Sequence, residues 1–284
     1  MSEIVLVPAW RRPDFLWAAL VRIWAARDRE DIVVRVCLDR YASSETEWAF
    51  SQFNARVAEG KLQVRRQEPH RYRSNTTNVM ESYKEAASEG FELVHLVEDD
   101  IMVGYDYFDF HRRAHELAPE AFAVSACRNQ QFVLDADPTR DDEAVYLHPS
   151  YQSLGVSFRS EVLQRAVSDV GEEYYRDMVW YCGHRFPGSA IPAGHAEQDG
   201  FLNRQREAGG LATAYGATPR AYHAGFAGYN RRGSELTGSI QERANRILRM
   251  SSQELNEMAH SYKDHVAIDL DEDRASVSRL IQWP

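Results

Sequence analysis

Hydrophobic and polar positions follow two alternating rhythms through the first half of the chain. Short apolar runs rich in β-branched residues read as strands: Ile4 to Val7, closed by Pro8, then Ile32 to Leu38, the weaker Leu62 to Arg65, Leu93 to Val97 and Ala121 to Cys127. Stretches with helical spacing separate them. Pro13 is placed as a first helical residue, and Leu16, Ala19, Leu20, Ile23 and Trp24 recur on one face behind it. Ser44 to Glu59 reads as a helix, with Ser44 and Glu47 spaced as a capping box and Gly60 at its exit. Asn75 to Ala87 and Tyr105 to Leu117 read as two more. Strands alternating with helices of this length predict an α/β fold with a mostly parallel sheet covered on both faces. Right-handed crossovers then bring the strand ends to one edge, and ligands of such sheets bind there.

Beyond residue 128 the pattern loosens. DADPTRDDE (135 to 143) is a polar loop, SLGVSF (153 to 158) a strand containing a glycine, and Ser160 to Val167 a helix. Glu197 to Glu207 reads as a short helix, and from Ser234 the chain is helical and charged, with capping-box spacing at Ser251 and Glu254. The expected division is a ligand-binding half at 1–128, a second half of the same domain at 129–233, and a helical extension at 234–284.

Composition narrows the function classes. No apolar segment approaches the roughly 20 residues that span a bilayer, and the N-terminus lacks the charged region and long apolar stretch of a secretory signal. Three widely spaced cysteines, Cys37, Cys127 and Cys182, form neither a metal pair nor a disulfide framework. A reducing, cytoplasmic setting with no membrane partner is the expectation. The net charge of −10 disfavours broad binding to nucleic acid. One stretch departs from this balance: VRRQEPHRYR (64 to 73) is basic, suited to a small polyanion such as a nucleotide diphosphate or to a solvated surface loop.

The chemistry concentrates in FELVHLVEDDIMVGYDYFDF, residues 91 to 110. An apolar strand ends in Glu98, Asp99 and Asp100, and the apolar residues Ile101 to Val103 follow at once, so the acids are pinned between buried segments. Adjacent carboxylates repel unless a cation neutralises them. Hard divalent ions such as Mg²⁺ or Mn²⁺ take oxygen ligands and keep positions open for phosphate oxygens. Acids at a strand end are otherwise solvated loop residues.

At this stretch the chain resembles the N-acetylglucosaminyltransferase I family, whose fold is GT-A. LVEDDIMVGYDYFDF is similar to that family's metal motif in order: Glu98, Asp99 and Asp100, then Val103, Asp106, Phe108 and Phe110. PHRYRSNTTNVMESY resembles an upstream segment of the family, with His70, Tyr72 and Arg73 in similar order and Arg71 inserted. PAWRRP resembles the first strand followed by an arginine at the nucleotide, nominating Arg11. VCLDR resembles the second strand, ending in an aspartate at the nucleoside, here Asp39. These last two features are shared by many glycosyltransferases of the fold.

The resemblance implies inverting transfer of a sugar from a nucleotide donor, with UDP favoured, to an acceptor hydroxyl, with Mn²⁺ or Mg²⁺ as cofactor. It places Glu98, Asp99, Arg11, Asp39 and Arg73 at the donor, and Asp99 and Asp100 at the metal. Such a reaction requires a carboxylate to take the acceptor's proton and positive charge on the leaving diphosphate. HAEQDGFLNRQ (195 to 205) resembles the segment carrying that base. Asp199 is favoured and Glu197 is the alternative, while both acids also complement a helix N-terminus. Gly155 in SLGVSFRSEVL corresponds to a glycine beside the donor sugar, or marks a bulge. His223 is a metal or diphosphate ligand by resemblance, or a packed aromatic neighbour. The pair Arg231 and Arg232 either closes over the diphosphate or is surface charge. Tyr174, Tyr175, Trp180 and Tyr181 offer faces for sugar or base stacking, or belong to the core.

The acceptor class stays open between a glycan, a small metabolite and a hydroxylated base in DNA, the last disfavoured by the charge. The rival readings are a nucleotidyltransferase and a dehydrogenase, whose glycine-rich loops are missing after the first strand, and a non-catalytic nucleotide-sugar- or carbohydrate-binding module.

Overall fold

A computed structural model of the chain describes residues 2–68, 75–127, 144–225 and 236–250. In chain order the elements are β1 (Glu3–Ala9), α1 (Pro13–Ala26), β2 (Ile32–Leu38), α2 (Ser44–Asn54), β3 (Leu62–Arg66), α3 (Asn75–Ser88), β4 (Leu93–Leu96), β5 (Ile101–Val103), α4 (Tyr107–Leu117) and β6 (Ala123–Ser125). They continue with β7 (Val145–His148), β8 (Val156–Arg159), α5 (Ser160–Val167), α6 (Glu172–Arg176), α7 (Met178–Arg185), α8 (Gln198–Ala208), β9 (Thr213–Gly216), β10 (Ala221–His223) and α9 (Ile240–Ile247).

Eight strands form one sheet in the order β3-β2-β1-β4-β8-β6-β9-β7, while β5 and β10 form a separate antiparallel pair. The first-half strands β1 to β4 pair in parallel, as the alternating pattern predicts. The sheet becomes mixed where β8 runs antiparallel to both β4 and β6. The strand order turns back at β1, since β2 and β3 lie to one side of it and β4 to the other. That reversal is the switch point at which open α/β sheets bind ligands.

Period-two burial in β1 explains the two covered faces. Val5 and Val7 join the core formed with α1, α2, α4 and α9, whereas Ile4 and Leu6 join the core under α3 and α5. Pro8 does not close this strand, which continues to Ala9 against β2. Toward β4 the ladder stops at Leu6, apart from the bond Val97 N–H to Leu6 C=O at 3.0 Å. The N–H that proline lacks therefore falls where the β1–β4 pairing has ended, and the sheet opens there.

Several local expectations shift by a residue or more. Helix α2 ends at Asn54, and its cap is Ser43, whose side chain accepts from Thr46 N–H; Ser44 is already helical. A capping box that the sequence reading did not single out, Ser239 with Glu242, starts α9. Ser251 and Glu254 lie outside the described residues. Helix α9 contributes Ile240, Ala244 and Ile247 to the core beside α1, joined by Met250 just after the helix, and Arg243 pairs with Asp14 at 3.2 Å. All three cysteines are buried.

A buried polar cluster lies between α4 and the sheet, away from the switch point. Glu3 and His95 are both fully buried and pair at 3.0 Å, and Arg112 reaches Glu3 at 2.9 Å. The Ser157 hydroxyl bridges His111 Nδ1 at 2.6 Å and His115 Nε2 at 2.9 Å. One hydroxyl can donate to one neutral ring and accept from the other. Burial, reinforced by the His95 charge, lowers both rings' affinity for protons: His111 well below its ordinary range and His115 to about 3. The folded state therefore binds fewer protons than the unfolded chain between about pH 3 and the ordinary imidazole value near 6.5. In that window stability falls as pH falls, by up to ~1.4 kcal/mol per pH unit for each ring. Glu3 adds in the same direction: burial raises its pKa, but His95 and Arg112 outweigh burial and lower it, so its contribution is lost as pH falls through the carboxylate range. Urea unfolding between pH 4 and 7 is expected to show this acid loss, and His115→Gln is expected to flatten it. A wild-type stability independent of pH over this range contradicts the assignment of neutral buried rings.

Candidate active site

The three acids owe their crowding to a turn. Strand β4 ends at Leu96, and the chain reverses through Glu98–Ile101, closed by Ile101 N–H to Glu98 C=O at 2.9 Å. It leaves as β5, all three residues of which are buried. The apolar run after the acids is thus a second strand that anchors the turn from behind. Strand β10 pairs with β5 in the register His223↔Ile101, and Ala224 N–H bonds to Asp100 C=O at 2.8 Å. This register carries His223 Nε2 to 3.1 Å from Asp100 Oδ2, across 123 positions of sequence. Gly225 completes the cradle, because a Cβ there would collide with the Asp100 carboxylate.

The motif residues downstream build this anchor. Val103 and Phe108 are buried, and Phe110 lies under the Arg220 guanidinium at 4.8 Å. Asp106 pairs with Arg220 at 3.2 Å, and Gly104 N–H bonds to Arg220 C=O at 2.7 Å. These contacts lock the start of α4 to the segment leading into β10.

The cation that meets the acids is Arg12, not Arg11. Arg12 stands between β1 and α1, and its guanidinium crosses the open end of the β1–β4 ladder to bond both Asp99 Oδ1 and Asp100 Oδ2. Asp99 and Asp100 are 2% and 5% exposed, and Glu98 is half-buried. Burial pushes Asp99 up to about 7 against the pull of Arg12. Burial, then the charges of Asp100 and Asp199, push Glu98 up to about 8. Burial also opposes ionisation of Asp100, but Arg12 and His223 outweigh it and hold its pKa well below the ordinary carboxylate range. Asp100 Oδ1 is buried with no hydrogen-bond partner among the described residues. One guanidinium therefore leaves the turn short of positive charge.

Asp199, from the second half of the chain, is electrostatically coupled to this turn. It stands in the first turn of α8 and is solvent-accessible, yet burial raises its pKa to about 6, with Glu197 adding to the rise and a hydrogen bond from Ser153 opposing it. Access combined with partial desolvation is the situation of a group lining a crevice, and its charge is felt at Glu98. Two contacts fix α8 there. The side chains of Thr76 and Gln198 bond at 2.6 Å, tying its start to α3, and Arg204 donates to the carbonyls of His195, Gly200, Ile191 and Pro192. Gly200 makes this wrap possible, since a Cβ would run into the His195 carbonyl. Glu197 is exposed at the N-cap without a side-chain capping bond.

The other nominated residues are placed as follows. Asp39 is half-buried at the end of β2, and its Oδ1 accepts from Tyr41 N–H at 2.8 Å. Arg11 is exposed beside it, stacked on Trp10 at 4.7 Å and bonded to the Tyr41 carbonyl at 3.3 Å. Trp10 and Tyr41 are each 38% exposed, so aromatic surface flanks Asp39 at the switch point, which sequence patterning did not indicate. Gly155 is buried, and packing accounts for the glycine: φ is +59° and a Cβ would stand 2.9 Å from Ala221 Cβ. Tyr174, Tyr175 and Tyr181 are core residues, and of that aromatic group Trp180 alone is exposed. Arg73, His70, Tyr72, Arg231 and Arg232 lie outside the described residues.

Among the described residues no three His, Cys, Asp or Glu side chains already converge as a metal shell. A divalent ion of the Mg²⁺ type needs less, because it is commonly held by one or two carboxylates and completed by phosphate oxygens and water. The partnerless Asp100 Oδ1, with His223 beside the other oxygen, meets that requirement.

Comparison of the sequence with protein families and with curated proteins gives no match. Solved structures do resemble the fold. Staphylococcus aureus TarS aligns with a TM-score of 0.50 at 10% identity, over 99% of this chain and 49% of that one. Its 1–349 segment in complex with UDP aligns at 0.47 and 10% identity, over 99% and 71%. A mannosyltransferase from Pyrobaculum calidifontis, in complex with GDP-Man and Mn²⁺, aligns at 0.47 and 14% identity, over 77% and 57%. The chain thus spans about half the length of two of these structures. The fold it shares with TarS is the GT-A type. No helix among the described residues is long and apolar enough to cross a membrane.

The crevice makes one titration prediction. Asp199 is expected to titrate near pH 6 by carboxyl-carbon NMR, and Glu197→Gln is expected to lower that midpoint. An Asp199 midpoint at the ordinary value near 4 would show that the carboxylate is fully solvated.

Proposed function

We propose that the chain is a metal-dependent, inverting glycosyltransferase that moves a sugar from a nucleotide donor, a UDP-sugar, to an acceptor hydroxyl. One observation carries this reading. Carboxylates from opposite halves of the chain, those of the turn Glu98–Asp100 after β4 and that of Asp199 in α8, lie close enough that the charge of Asp199 raises the pKa of Glu98. The resemblance of residues 96 to 110 to the N-acetylglucosaminyltransferase I motif supports the same conclusion, as does the shared fold.

In this reading the donor lies across the ends of β1, β2 and β4. Asp39, with Trp10 and Tyr41 about it and Arg11 on the rim, receives the nucleoside. Arg73 and Gly155 complete the donor side as nominated from the sequence, with Gly155 acting through the packing of β5 and β10. Asp100, with Asp99 and His223, would hold Mn²⁺ or Mg²⁺. The bound ion supplies positive charge against the negative charge that develops on the leaving diphosphate.

Asp199 takes the proton of the acceptor hydroxyl as its oxygen attacks the anomeric carbon from the face opposite the diphosphate. A carboxylate near pH 6 is ionised at neutral pH and more basic than a fully solvated one, which suits a base. Glu197, exposed at the N-cap two residues before it, tunes that basicity and is the alternative base. The acceptor is a glycan or small metabolite hydroxyl, and the net charge of −10 weighs against DNA. The reading places the enzyme in the cytoplasm.

Purified protein assayed with nucleotide sugars and Mn²⁺ tests the proposal. Wild type is expected to turn over a UDP-sugar, and Asp199→Asn to lose about 10²–10⁴-fold of that rate while keeping its affinity for UDP. A wild type that binds UDP but turns over no donor is a binding module. Equal turnover by the variant removes Asp199 as the base.

A further inference from the structure

The double arginine before α1 raised a nucleotide contact at Arg11, yet it is Arg12 that reaches the acids. Building on the function proposed above, we infer that Arg12 is an exchangeable counter-ion: it holds Asp99 and Asp100 in the metal-free protein, yields Asp100 to a divalent cation, and passes its guanidinium to the donor diphosphate.

Four observations lead to this exchange. The first is the geometry of the fork: Nη2 bonds Asp99 and Nη1 bonds Asp100, one arm on each carboxylate. A fork divided between two acids can release one while keeping the other. The same planar fork matches two phosphate oxygens as well as it matches carboxylates.

The second is the supply of charge. Glu98, Asp99 and Asp100 share one turn, and Arg12 is the only permanent cation bonded to any of them among the described residues. A divalent ion adds what a single guanidinium cannot. Diphosphate, arriving with it, then gives the guanidinium a new anion.

The third is the donor left over. Asp100 is 5% exposed, and its Oδ1 is buried without a partner among the described residues, while Oδ2 is shared between Arg12 and His223. A buried carboxylate oxygen without a partner is costly, and it points to a ligand other than Arg12. His223 is already placed to stay when Arg12 leaves.

The fourth is freedom to move. Arg12 is a non-helical N-cap residue whose side chain makes no capping bond, and 26% of that side chain is exposed. Apart from the two carboxylates its guanidinium meets the Phe15 ring at 5.8 Å. Arg220 is the contrast. It is 4% exposed and is tied to Asp106, the Thr218 carbonyl and the Phe110 ring, as a structural arginine should be.

The test compares wild type, Arg12→Gln and Arg12→Lys. Mn²⁺ binding is followed by electron paramagnetic resonance without nucleotide, UDP binding by calorimetry at saturating Mn²⁺, and thermal melting with and without Mn²⁺. Arg12→Gln is expected to bind Mn²⁺ about tenfold more tightly, because its competitor is gone, and UDP about tenfold more weakly. It should melt lower than wild type without metal and recover most of that loss with Mn²⁺, which a merely structural arginine would not allow. Should Arg12→Gln fail to fold without metal, Arg12→Lys carries the comparison, since it keeps the charge but loses one arm and should fall between the other two. Unchanged or weaker Mn²⁺ binding in both variants overturns the competition. Unchanged UDP affinity at saturating Mn²⁺ overturns the transfer to diphosphate. Loss of the wider reading looks different: wild type and variants alike would ignore both Mn²⁺ and UDP.

Discussion

Three carboxylates in a single turn repel one another, and the architecture around residues 98 to 100 is what keeps them together. Strand β5 holds the turn from behind through three buried residues, and β10 clamps β5 in a register that delivers His223. Arg12 closes it from the front. Removing one partner from a buried ion pair typically costs about 3–5 kcal/mol, whereas a buried pair often contributes little net stability compared with apolar packing. Such a cluster is therefore poorly explained by stability alone. It is better explained by a ligand that supplies the missing charge.

The rest of the fold serves that turn. Ending the β1–β4 ladder at Leu6, with Pro8 beyond it, opens the sheet where the strand order reverses. The antiparallel strand β8 carries the chain back across β4, and the following helices lead to α8, whose first turn carries Asp199. Gly155, Gly200 and Gly225 mark three places where backbone or side chains approach too closely for a Cβ, and each lies in a segment that frames the crevice. The buried histidines under α4 stand apart. They join β1, β4, β8 and α4 by hydrogen bonds, and their cost is sensitivity of the fold to acid.

Much of this was legible in sequence because the first half is locally consistent: apolar runs, a Pro at the start of α1 and alternating periods all specify the same parallel units. The acids stood out because they sat between two buried runs. Less could be read where the decisive partner is remote. That Ile101–Val103 is a strand depends on β10, more than a hundred residues away, and a three-residue run carries no period. Arg12 and Arg11 are indistinguishable by composition, and the direction of each side chain is set by the geometry between β1 and α1. The aromatic run near residue 174 read equally well as a sugar platform or as core, and burial places three of its four rings in the core. A capping box at Ser44 was plausible by spacing, but Ser43, one residue earlier, takes the cap.

The central claim is that the turn at 98 to 100 is a cation-dependent diphosphate site completed by Asp199. Anomalous diffraction from a crystal grown with Mn²⁺ and UDP tests it most directly. The account predicts a manganese peak beside Asp100 and His223, with the diphosphate bridging toward the β1–β4 opening and Asp199 across from it. A crystal that holds UDP with no peak at the turn, and with Arg12 still bonded to both aspartates, would contradict it.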